Sequence, residues 1–107
     1  MSNQPSREIP AGGSEPQPGM VCRIATICNQ RGLHARAAAR FVKTAALFDA
    51  EVTVRKNGTE VSGRSIMGLM MLAAAPGAVI RLSATGREAE AAVSALAKLI
   101  ECKFDED

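Results

Sequence analysis

The sequence has no tryptophan, no tyrosine, only three phenylalanines and a single histidine. Without large ring systems its core has to be assembled from Ala, Val, Ile, Leu and Met. The same shortage argues against an RNA-binding sheet, which stacks bases on aromatics exposed along its strands; Phe41, Phe48 and Phe104 all fall outside the segments that read as strands. One histidine cannot build the usual metal ligand set, nor serve as base to a cysteine nucleophile and stay free. The three cysteines, Cys22, Cys28 and Cys102, are an odd number without CxxC spacing, which fits reduced thiols in the cytosol better than a disulfide framework or a zinc site. No apolar run approaches membrane-spanning length, and the N-terminus lacks a basic start followed by an apolar segment. The expectation is a cytoplasmic protein with no membrane partner, no nucleic-acid partner, no metal and no cofactor.

What is present describes one domain, since 107 residues enclose one core and not two. Thirteen basic residues against eleven acidic ones leave a net charge of +2, too small for bulk attraction to nucleic acid. The distribution is more telling. Arg23, Arg31, Arg36, Arg40, Lys43, Arg55, Lys56 and Arg64 make the middle basic, and the chain closes on Asp105, Glu106 and Asp107.

Residues 1–20, with four prolines among glycine, serine and glutamine, have little to bury and read as a disordered leader. The folded domain then spans 21–107. Val21 to Cys28 suits a strand, and Gly32 lies in turn chemistry before a helix from Ala35, whose apolar face is Ala38, Phe41, Val42 and Ala45. Glu51 to Arg55 alternates with period two, Asn57-Gly58 signals a hairpin, and Thr59 to Gly63 supplies the returning strand. Ser65 caps a short helix reaching Leu72, Pro76-Gly77 breaks the chain, and Val79 to Ala84 forms a strand. A last helix carries the stripe Ala89, Ala92, Val93, Leu96 and Ile100, with Thr85 or Gly86 near its start. The order β-α-β-β-α-β-α predicts an α+β open-faced β-sandwich, a four-stranded antiparallel sheet covered on one face by three helices.

His34 stands where a strand and turn give way to a helix. Helix starts favour Ser, Thr, Asp or Asn, so histidine is a poor choice for capping alone. It makes sense if the ring carries a phosphoryl group, because the unpaired amides of Ala35, Arg36 and Ala37 and the helix dipole stabilise an anion there, with Arg36 adding a full charge. A neutral imidazole is nucleophilic near neutral pH, and its phosphorylated nitrogen remains a good leaving group. The run Gly32-Leu33-His34-Ala35-Arg36-Ala37-Ala38 resembles the motif of the HPr phosphocarriers of the phosphoenolpyruvate-dependent phosphotransferase system, a likeness that extends from about Val21 to the C-terminus. That resemblance implies a carrier rather than an enzyme: His34 receives a phosphoryl group from enzyme I and donates it to a downstream acceptor, while Arg36 steadies the phosphate. The family motif has proline where this chain has Ala37, a change that keeps the helix and restores one donor near the phosphate.

Gly63-Arg64-Ser65-Ile66-Met67-Gly68 is similar to the regulatory serine site of HPr proteins, which implies phosphorylation of Ser65 by an HPr kinase/phosphorylase. The helix after Ser65 is apolar nearly all round, yet only one side of it can be buried. Leu69 and Leu72 are the core candidates, leaving Ile66, Met67 and Met70 as an adaptable docking patch rimmed by Arg36, Arg40 and Lys43. Phe48-Asp49-Ala50-Glu51-Val52, Leu69-Met70-Met71-Leu72 and Phe104-Asp105-Glu106-Asp107 resemble the nitrogen-related NPr branch. The resulting expectation is a monomer that relays phosphoryl groups from a nitrogen-type enzyme I to a IIA-type protein and contacts regulatory enzymes. A sugar-uptake HPr regulated through its serine and a non-catalytic α+β binding module are the alternatives.

Overall fold

A computed structural model of the chain describes residues 19–106. The predicted leader falls outside this span except for Gly19 and Met20, as does Asp107. Within it the chain forms β1 (Val21–Thr26), α1 (Ala35–Ala45), β2 (Glu51–Lys56), β3 (Thr59–Ser62), α2 (Ile66–Met71), β4 (Val79–Thr85), α3 (Ala89–Glu101) and a closing 3-10 turn, Lys103–Asp105. The strands lie in the order β1-β4-β2-β3, every pair antiparallel. This is the predicted four-stranded sheet with three helices on one side.

Period-two alternation decides which side is covered. Val52 and Val54 of β2, with Ile80, Leu82 and Ala84 of β4, are buried beneath the helices. Phe41 and Ala45 of α1, Leu69 of α2 and Leu96 and Ile100 of α3 close over them. Thr53 pairs with Ser62 and Ser83, and Arg55 with Glu60 and Arg81, across the opposite, open face. Asn57 takes the left-handed conformation that the two-residue hairpin between β2 and β3 demands, at φ 58°.

Several boundaries differ from the sequence reading by a residue, and two differ for reasons the packing shows. β1 ends at Thr26, two residues early, because Cys28 leaves the sheet and its Sγ donates to the Ile100 carbonyl at 3.4 Å. α3 starts later than Thr85 or Gly86: Thr85 completes β4, and Gly86 sits at φ +120°, where a Cβ would come 3.0 Å from Ala50 Cα. The cap position belongs to Glu88, whose carboxylate accepts from the Asp49 amide at 2.7 Å and so ties the helix start to the turn before β2.

Candidate functional site

His34 is the N-cap of α1. Its backbone is extended at φ −79° and ψ −178°, and its carbonyl accepts the first helical bond, from the Ala38 amide at 2.8 Å. The amides of Ala35, Arg36 and Ala37 precede that bond and face the positive end of the helix. The ring itself caps: Nδ1 accepts from the Arg36 amide at 3.3 Å. The expectation that histidine would cap poorly is therefore corrected, since a ring nitrogen here does the work of a serine or aspartate oxygen.

That bond also fixes the tautomer. A backbone N–H can only donate, so Nδ1 holds a lone pair and the proton sits on Nε2. Nε2 lies 2.6 Å from Glu106 Oε2, a carboxylate oxygen that accepts this proton's hydrogen bond. The other carboxylate oxygen accepts from Asn29 Nδ2 at 3.2 Å, and the same amide nitrogen donates to the Gly32 carbonyl at 2.8 Å. Asn29 is fully buried and its Oδ1 has no partner among the described residues. Turning the amide round would press Oδ1 against two acceptors, so the orphaned acceptor, a cost of about 1–3 kcal/mol, comes with holding Glu106. Burial acts to raise the Glu106 pKa, but the hydrogen bonds from His34 and Asn29 and the electrostatic pull of His34 and Arg36 hold it below its ordinary value of 4.5. The carboxyl group is ionised at neutral pH.

The loop that presents His34 is seated on a second loop. The Leu33 amide donates to the Ala74 carbonyl at 2.9 Å, and the His34 amide to the Gly32 carbonyl at 2.9 Å. Gly32 sits at φ +65°, and a Cβ there would come 2.4 Å from the Ala74 oxygen. Only glycine permits this approach.

The C-terminus closes the site. Lys103, Phe104 and Asp105 all have positive φ, 57°, 55° and 60°, and this tight turn drives Phe104 fully into the core. Arg40 Nη1 donates to the Phe104 carbonyl. The sequence reading placed Arg40 on an exposed docking rim; it is half-buried and engaged with the C-terminal turn, because that turn folds back over α1. Arg36 and Lys43 are exposed.

Around the second motif, Ser65 caps α2, its Oγ accepting from the Gly68 amide at 2.9 Å. Ile66, Met67 and Met70 are 41%, 70% and 42% exposed, whereas Leu69 and Leu72 are buried, the division of faces read from the sequence. Met71 is exposed as well and extends the apolar surface. Sequence reasoning missed Asn29 and Glu106 as parts of the site; its one clue was an acidic tail opposite a basic middle. A groove of about 300 Å³ between α1 and α3 is lined by Thr44, Ala95, Lys98, Leu99, Cys102 and Asp105 and does not include His34. The His34 side chain remains 22% exposed. Among the described residues, no helix is long and apolar enough to cross a membrane, and no group of three or more His, Cys, Asp and Glu side chains is placed to hold a metal.

Residues 21–102 match the family described as the PTS HPr component phosphorylation site. The chain is 52% identical over 87 residues to the phosphocarrier protein HPr of Neisseria meningitidis, covering 81% of this chain and 98% of that one. It is 44% identical over 84 residues to the phosphocarrier protein NPr of Shewanella violacea, covering 78% and 92%. A solved HPr from Thermoanaerobacter tengcongensis superposes with a TM-score of 0.78 at 45% identity, covering 81% of this chain and 98% of that one; HPr from the same organism has also been solved as a dimer. By sequence and by fold, the chain belongs to the HPr family of phosphocarriers of the phosphotransferase system.

Proposed function

We propose that this phosphocarrier relays its phosphoryl group through Nδ1 of His34. The supporting observation is the Arg36 amide bond, which leaves Nδ1 with its lone pair at the positive end of α1. When Nδ1 attacks phosphorus, the Arg36 amide loses its acceptor and is free, with the amides of Ala35 and Ala37, to donate to the incoming phosphoryl oxygens. The exposed Arg36 guanidinium supplies charge at the same end. Arg36 and Lys43 with Ile66, Met67 and Met70 form the docking surface, which suits partners carrying acidic residues around apolar pockets.

Enzyme I of the nitrogen type is the proposed donor, a IIA-type protein the acceptor, and the cytoplasm the compartment, with the carrier working as a monomer that meets partners transiently. The sequence likeness to NPr in the Leu69–Leu72 and Phe104–Asp107 segments supports this branch. The full chain should accept phosphoryl groups from a nitrogen-type enzyme I at least tenfold faster than from a sugar-type one; the reverse order would assign it to sugar uptake. The sugar-type reading has one feature in its favour, the Ser65-Ile66-Met67-Gly68 motif. A phosphate on Ser65 would sit at the start of α2 and add negative charge beside the docking surface, changing partner choice without unfolding the domain. An HPr kinase/phosphorylase would be its source.

A further inference from the structure

The outward face of α2 carries a chemistry that docking alone does not use. Three of the five methionines in the chain, Met67, Met70 and Met71, stand at i, i+3 and i+4 of this helix and so share one face. They are 70%, 42% and 74% exposed. Leu69 and Leu72, both buried, anchor the helix on its other side, so the core does not depend on these methionines. We infer that the cluster is an oxidation site: a peroxide converts the exposed thioethers to sulfoxides, and the conversion weakens docking of phosphoryl donors and acceptors without unfolding the domain. The inference rests on the docking surface proposed above.

The step is a two-electron oxygen transfer. A sulfur lone pair attacks one peroxide oxygen, the O–O bond breaks with its electron pair left on the departing oxygen, and the proton of the transferred oxygen moves to that departing oxygen. With hydrogen peroxide the products are a sulfoxide and water, sulfur being oxidised and the peroxide reduced. The side chain gains a strong acceptor and loses its apolar character. Docking into an apolar pocket then buries that oxygen without a donor, a desolvation penalty the thioether does not carry. Leucine at these positions would offer similar apolar volume and be inert to peroxide. The Ser65 cap on the Gly68 amide and the buried Leu69 are untouched by the change, so α2 keeps its place. His34 keeps its lone pair as well, and the loss falls on the encounter with partners and not on the phosphoryl step.

The test treats the full chain with hydrogen peroxide, maps the sulfoxides by peptide mass, and measures phosphoryl transfer from enzyme I over a range of carrier concentrations. Met67 and Met71 are expected to oxidise ahead of the half-buried Met20, with KM rising about fivefold or more and kcat unchanged within about twofold. Methionine sulfoxide reductases A and B should return KM to its untreated value. The thermal midpoint by circular dichroism should stay within about 2 °C of the untreated protein. Cys22, Cys28 and Cys102 are exposed and also meet the peroxide. A variant carrying Met67→Leu, Met70→Leu and Met71→Leu keeps all three thiols; compared with its own untreated sample, its KM should move by less than about twofold. An equal loss in that variant would place the effect on the thiols and overturn the inference, as would an oxidised wild type whose KM stays within about twofold of untreated. Met67→Glu separates this outcome from the docking reading. An unmoved KM in that variant would remove the docking surface itself, whereas a raised KM there beside an unmoved one after oxidation would strike the oxidation site alone.

Discussion

Replacing Gly32 by alanine places a methyl group 2.4 Å from the Ala74 oxygen and 3.0 Å from Ala75 Cα, both backbone atoms that no rotamer change can move aside. The residue also sits at φ +65°, which costs an alanine about 1–2 kcal/mol. Relieving the clash means shifting the Ala73–Ala75 loop, with about 1–3 kcal/mol of overpacking strain. The Leu33–Ala74 backbone bond of 2.9 Å would be stretched in the process, forfeiting about 0.5–1.5 kcal/mol. Together these amount to about 2.5–6.5 kcal/mol, a large share of the roughly 5–15 kcal/mol typical of a domain. For a folded unit of this size the midpoint of thermal unfolding should fall by about 10 °C or more. Far-UV circular dichroism is the suitable assay, since the chain has no tryptophan or tyrosine to report by fluorescence. Gly58→Ala is the control, because its Cβ would meet nothing within 4 Å and its φ is not positive. The Gly32 carbonyl accepts from both the His34 amide and Asn29, so phosphoryl transfer should slow along with the loss of stability. If Gly32→Ala melts within about 2 °C of Gly58→Ala, the two loops are not packed as described.

Phe104→Ala should cost about 3–5 kcal/mol in urea unfolding and, by loosening the C-terminal turn, shift the Nε2 resonance of His34. Ser65→Ala removes the cap bond to the Gly68 amide and should cost about 1 kcal/mol by the same method, leaving the rate of His34 labelling within a few-fold. Acid should open the C-terminal contact: the Glu106 pKa is lowered by folding, so its contribution is fully present above 4.5 and is lost as pH falls through the lower folded value. Amide hydrogen exchange at Asp105 and Glu106 should therefore gain in opening frequency below pH 4.5 and not between 5 and 7, once corrected for the intrinsic rate.

Most of the fold could be read from the chain because its signals are local. Alternation in Glu51 to Arg55, the Asn57-Gly58 turn and the apolar spacing of α1 and α3 each fit within one element. The boundary errors at Cys28 and Glu88 came from tertiary bonds, to Ile100 and to Asp49, that override local preference. His34 and Arg36 were visible because helix-start chemistry is itself local. Glu106 was not, since it reaches His34 through three successive left-handed residues, none of them glycine, and such a turn leaves no mark in residue type. Asn29 read as an ordinary turn residue; only burial and the orphaned Oδ1 distinguish it. Arg40 looked like one more charge on a solvated face until the C-terminal carbonyl was found against it.

The most direct measurement incubates the full chain with phosphoenolpyruvate and enzyme I, then maps acid-labile phosphate in wild type and in His34→Ala. One phosphoryl group per chain on His34, absent from the alanine variant, is the expected result. Stoichiometric labelling that survives loss of the imidazole, or a folded wild type that takes up none from a competent donor, would contradict a relay through this ring.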